Sequence, residues 1–81
     1  MDKNDTFACL IITQFALGGT PWTERHYYRD FADACDALSE RTHTFLESGF
    51  ADKGVQDRTR ILRNKNWTEI QLSVCHCRFE L

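Results

Sequence analysis

The sequence predicts an α+β fold: a four-stranded, mainly antiparallel sheet with one amphipathic helix packed on one face, in the order ββαββ. Three observations predict it. Residues 30–49 place Phe31, Ala34, Cys35, Leu38, Thr42, Phe45 and Leu46 at the spacing of one helical face. The segments on either side are rich in β-branched and aromatic residues and are broken by turn formers. The chain has 81 residues, which limits it to a single domain, residues 1–81, with one modest core.

Residues 1–5 are polar and are expected to fray. In residues 6–17 one side carries Phe7, Cys9, Ile11, Thr13 and Phe15, and the other Ala8, Leu10, Ile12 and Gln14. Both sides are largely apolar, as in a central strand covered on both faces or partnered on its open face. Gly18, Gly19, Thr20 and Pro21 form a turn. Residues 22–29 are more polar and suit an edge strand paired back on the first. The helix follows at once. Asp30 is placed to cap it, with Asp33 as a weak capping-box partner. Gly49 suits the left-handed position past its end, and Phe50 is expected to fold back on the last turn.

Residues 51–54 read as a short loop. Residues 55–63 and 67–81 then form a second hairpin around Asn64, Lys65 and Asn66. A two-residue loop puts Val55, Thr59, Ile61, Ile70, Leu72 and Val74 on the core face. It puts Arg58, Arg60, Leu62, Trp67, Glu69 and Gln71 on the other, with Arg60 and Glu69 pairing across the strands. Carried to the end, this phase buries His76 and Arg78 and exposes Cys75, Cys77 and Phe79. Burying an unpaired arginine is costly, so a bulge near residues 73–75, or departure of the last residues from the core, is expected.

The net charge is only −2, but it is segregated. Residues 30–52 hold six acids against Arg41 alone. Residues 53–81 hold six bases against Asp57, Glu69 and Glu80. No apolar run reaches membrane-spanning length, and the polar start lacks the basic region of a leader. A soluble cytoplasmic protein with reduced thiols is expected. Exposure of Cys75 or Cys77 would allow a disulfide between two copies.

No catalytic arrangement is apparent, and the chain reads as a non-enzyme. His26, His43 and His76 lie on three different elements, and no serine or cysteine sits at a strained strand–helix elbow. Gly18-Gly19 is too short for a phosphate loop. In the run Cys75-His76-Cys77, strand neighbours point to opposite sides and cannot converge on one ion. No metal and no cofactor are implied.

Two surfaces remain. The first is the acidic helix face, with Asp33, Asp36, Glu40 and Glu47 in one stripe and Asp30 at its start. Asp36 and Glu40 repel at i, i+4, and Glu47 stands at the unfavourable end of the helix dipole. That pattern runs against helix stability and suits docking on a basic partner. The second is the sheet face left without a helix. There Arg58, Arg60, Arg63, Lys65 and Trp67 are the alternative, a small nucleic-acid-binding module. The acidic total argues against that alternative. The open sheet face is also a candidate homodimer interface.

Small size, a one-domain α/β plan, the acidic helix with Asp33, Asp36, Glu40 and Glu47, and the lack of a catalytic motif together make the chain resemble the phage-encoded anti-CRISPR proteins. The resemblance is one of format across the whole chain; that family shares no diagnostic motif. It implies a stoichiometric inhibitor acting in the host cytoplasm. The acidic stripe would stand in for a row of phosphates on a basic subunit of a type I, Cascade-like effector complex and block target-DNA binding. The modest net charge and the basic second hairpin depart from full DNA mimicry.

Overall fold

The computed structural model describes residues 6–78. It contains β1 (Thr6–Phe15), β2 (Trp22–Tyr28), α1 (Phe31–Glu47), β3 (Ala51–Gln56), β4 (Thr59–Arg63) and β5 (Glu69–Arg78). The strands form one sheet in the order β2-β1-β5-β4-β3, and every pairing is antiparallel. The α+β class and the single helix on an antiparallel sheet are as expected. The strand number is not: there are five strands, because residues 51–63 form a hairpin of their own rather than a loop and one strand.

The core lies between α1 and one face of the sheet. Leu10, Ile12, Leu62, Ile70 and Leu72 are buried at 0–1% exposure, and Tyr28, Ala37, Leu38, Phe45, Phe50 and Val74 pack against them. Each fully buried aliphatic side chain contributes about 1.5–3 kcal/mol relative to an exposed one. The helix packs chiefly on β1 and β5. β5 is the middle strand and β1 lies beside it, which accounts for their apolar composition. β2 is an edge strand, as its polarity indicates.

The helix termini follow the sequence signals with one exception. Gly49 adopts φ 101. Its N–H donates to the Leu46 carbonyl and that of Phe50 to the Phe45 carbonyl, at 3.2 and 3.1 Å. This is the Schellman pattern, and the rings of Phe45 and Phe50 meet edge to face at 5.4 Å. Asp30 holds the extended N-cap backbone, but its side chain makes no capping hydrogen bond. Its carboxylate therefore stays with the outer surface.

The second half of the chain departs from expectation at its turns. Asp57 and Arg58, at φ 52 and 63, form a two-residue connection between β3 and β4. Positive φ at both central residues is the signature of a type I′ hairpin turn. The β4–β5 loop spans three residues, Lys65 to Trp67, and not two. Asn64 and Thr68 close it by a backbone bond of 3.0 Å, the Asn64 Oδ1 accepts from the N–H groups of Asn66 and Thr68, and Trp67 takes the left-handed position at φ 64.

One extra residue shifts the pairing by one. Leu62 now stands opposite Ile70 and Arg60 opposite Leu72, so Leu62 joins the core while Ile61 and Thr59 turn to the open face. Val55 is 59% exposed rather than in the core. It lies beyond a β-bulge between Asp52 and Val55. The expected Arg60–Glu69 pair does not form. Arg60 pairs with Asp52, and Arg63 reaches Glu69 at 2.6 Å.

β5 keeps its register with β1 from Glu69 to Arg78, so the expected bulge near residues 73–75 is absent. The phase is tolerated because the helix starts at Phe31. His76 stacks on the ring of Phe31 at 4.5 Å and 20° and stays exposed. Cys75 is exposed and Cys9, its cross-strand neighbour, is buried. The expectations for residues 1–5 and Phe79, and those for the side chains of Cys77 and Arg78, lie outside the described residues.

Candidate functional site

The outer face of α1 holds the predicted acidic residues together. Asp30, Asp33, Asp36, Glu40 and Glu47 are all exposed. At 100° per residue Asp33, Asp36, Glu40 and Glu47 fall within a narrow arc directly opposite Ala34, Leu38 and Phe45. Packing of the apolar stripe on the sheet thus aims the acidic one straight out. Among the described residues Asp30, Asp33, Asp36 and Glu40 make no ion pair. Glu47 meets His43 at 3.3 Å, both well exposed.

The reason for the missing compensation is the position of Arg41. It is the only Lys or Arg on the helix, and it leans across to β2, where its guanidinium donates to the Glu24 carboxylate at 3.2 Å. Glu24 also bonds His26 at 2.8 Å. The His26 hydrogen bond, with the Arg41 guanidinium beside it, holds the Glu24 carboxyl below the usual carboxylate range despite partial burial. The sequence offers no spacing signal for Glu24 and Arg41, since the pair forms between two elements.

The alternative nucleic-acid set is not brought together. Arg58 sits in the β3–β4 turn, at the opposite end of β4 from Lys65 and Trp67. Arg60 and Arg63, three residues apart in one strand, point to opposite faces. Each is held by an acid, Arg60 by Asp52 and Arg63 by Glu69. Hydrogen bonds from Arg63 and then Gln71 hold the Glu69 carboxyl low. Only Arg63, Lys65 and Trp67 share one region. They are joined there by Phe15, Leu17 and Lys53, which the sequence reading did not select. The one available signal was Leu17, an apolar residue directly before a Gly-Gly turn.

The open sheet face carries Cys9, Ile11, Thr13 and Phe15 of β1. Arg25 and Tyr27 of β2 and Ile61 of β4 flank them on the same face. It mixes apolar and polar side chains and has no helix over it. Among the described residues no group of three or more metal-ligating side chains occurs. Among the same residues no helix is long and apolar enough to cross a membrane. Comparison with protein-family models, with curated proteins and with solved structures finds no match to this chain.

Proposed function

We propose that this protein is a non-catalytic binding module that docks the outer face of α1 on a basic protein surface. In line with its resemblance to anti-CRISPR proteins, it acts as a stoichiometric inhibitor. It occupies a lysine-rich groove of a type I effector complex and keeps target DNA out. The observation that carries this reading is the uncompensated stripe. Four carboxylates share one exposed arc or its start without an ion pair among the described residues, while the helix's only arginine is engaged with Glu24 on the sheet. Like charges at this spacing cost a few tenths of a kcal/mol per pair, and a basic partner would remove that cost and speed encounter.

The test is charge reversal. Asp33, Asp36 and Glu40 changed together to Lys should abolish inhibition of target-DNA binding by a purified type I complex, with an unchanged circular-dichroism spectrum. Full inhibition by that folded triple variant would end the proposal. The nucleic-acid reading is weaker on geometry, because two of its four bases are separated from the others and two are neutralised by acids.

A further inference from the structure

At the end of the sheet where β1 and β4 run out, the molecule presents an aromatic and aliphatic surface with a basic rim. Trp67 is 70% exposed and Leu17 80% exposed, with Phe15 beside them. Trp67 separates two shallow hollows. One is walled by Phe15, Leu17 and Glu69, the other by Ala51, Lys53 and Lys65, and both share Arg63.

Neither folding nor solubility explains a tryptophan here. Its φ of 64 is a conformation that costs a bulky L-residue about 1–2 kcal/mol, and glycine or asparagine is the ordinary occupant. Exposure leaves most of the ring without packing in return. The charge around it is positive. Lys53 and Lys65 are exposed and make no ion pair among the described residues. Glu69, which lines the first hollow, is taken up by Arg63 and Gln71, and Asp52, beside Lys53 in the chain, by Arg60.

We propose that this end of the sheet is a second docking surface, opposite in sign to the helix, and that it takes a peptide segment with an apolar side chain flanked by carboxylates. The apolar side chain seats against Trp67 between Leu17 and Phe15, and the carboxylates meet Lys53 and Lys65. Exposed Trp and Arg side by side are the residue types that dominate protein interfaces. Single-stranded nucleic acid fits less well. It needs a basic groove that tracks the backbone, whereas here two lysines remain after Arg63 is paired, and Leu17 and Phe15 offer phosphates nothing. The inference stands independently of the helix reading.

The test uses the full chain with Trp22→Phe, so that Trp67 is the only fluorophore of its kind. A randomised displayed-peptide library is panned on this protein, and enriched peptides are titrated against Trp67 fluorescence. The expected result is enrichment of sequences with an aromatic or aliphatic residue next to Asp or Glu. Binding should weaken about tenfold or more in Lys53→Glu/Lys65→Glu. Parallel panning on Trp67→Gly should not enrich the same peptides. The melting temperature of Trp67→Gly should equal or exceed that of the parent, which separates loss of binding from loss of fold. The proposal is overturned by any of four results. These are no enrichment over a blank surface, equal enrichment on Trp67→Gly, a marked drop in the melting temperature of Trp67→Gly, or saturation of the Trp67 signal by oligo-dT or anionic vesicles in place of peptide.

Discussion

Thr42 occupies a core position of α1 at 8% exposure, and its Oγ1 has no hydrogen-bond partner among the described residues. The helical spacing alone assigned it to the apolar face, and that placement is correct. The spacing cannot say whether the hydroxyl finds an acceptor, because that depends on what the opposite layer presents. A buried hydroxyl left unpaired costs on the order of 1–3 kcal/mol. Valine keeps the branched shape and has a similar helix propensity. Thr42→Val should therefore stabilise the protein by roughly 1 kcal/mol, read as a higher denaturation midpoint in urea at unchanged slope. A lower midpoint would mean that the hydroxyl has a partner in solution. Arg41 teaches the same lesson from the other side. Its charge was evident in the sequence, but only the packing of helix on sheet shows that it serves Glu24 and leaves the acidic stripe alone.

At the scale of elements, the helix was legible to the residue and the second half of the sheet was not. The helix has a long periodic stripe and a glycine at its end, and both are local signals. The β3–β4 and β4–β5 connections use left-handed residues that are not glycine, namely Asp57, Arg58 and Trp67. With no Asn-Gly or Asp-Gly pair to mark it, the turn at Asp57-Arg58 is hidden inside an apparently continuous strand. Replacing Arg58 by Gly should relieve its backbone at the expense of unfolded-chain entropy. The expected gain is roughly 0.5–1 kcal/mol, measurable by thermal denaturation. A loss would show that the Arg58 side chain holds the turn. In the β4–β5 hairpin a single loop residue decided which strand face was core. Side chains alternate with period two, so an odd loop exchanges Leu62 for Ile61.

Over the whole molecule, the charge falls into an acidic back on α1 and a basic, aromatic end of the sheet, with carboxylates paired between elements, Glu24 and Glu69 among them. Glu24 joins α1 to β2 through Arg41, and Glu69 joins β5 to β4 through Arg63. Both carboxyls are held below the usual carboxylate range in the folded protein by the hydrogen bonds they accept. The unfolded chain therefore binds protons first as pH falls. Their contribution is fully present above about pH 4.5 and is lost as pH drops through the lower folded values. Urea midpoints should fall between about pH 6 and about pH 3, and Glu24→Gln/Glu69→Gln should flatten that fall. An equal pH dependence in the double variant would assign acid sensitivity to other groups. The sequence by itself determined the α+β class, the helix with both its faces, the order of the first two strands and the segregation of charge. Each of these follows from periodicity or composition within one segment. Tertiary structure alone decided the fifth strand, the phase of β4, the withdrawal of Arg41 from the acidic face and the meeting of Trp67 with Leu17. Each depends on a turn conformation, or on which segments pack together, and neither is written in local spacing.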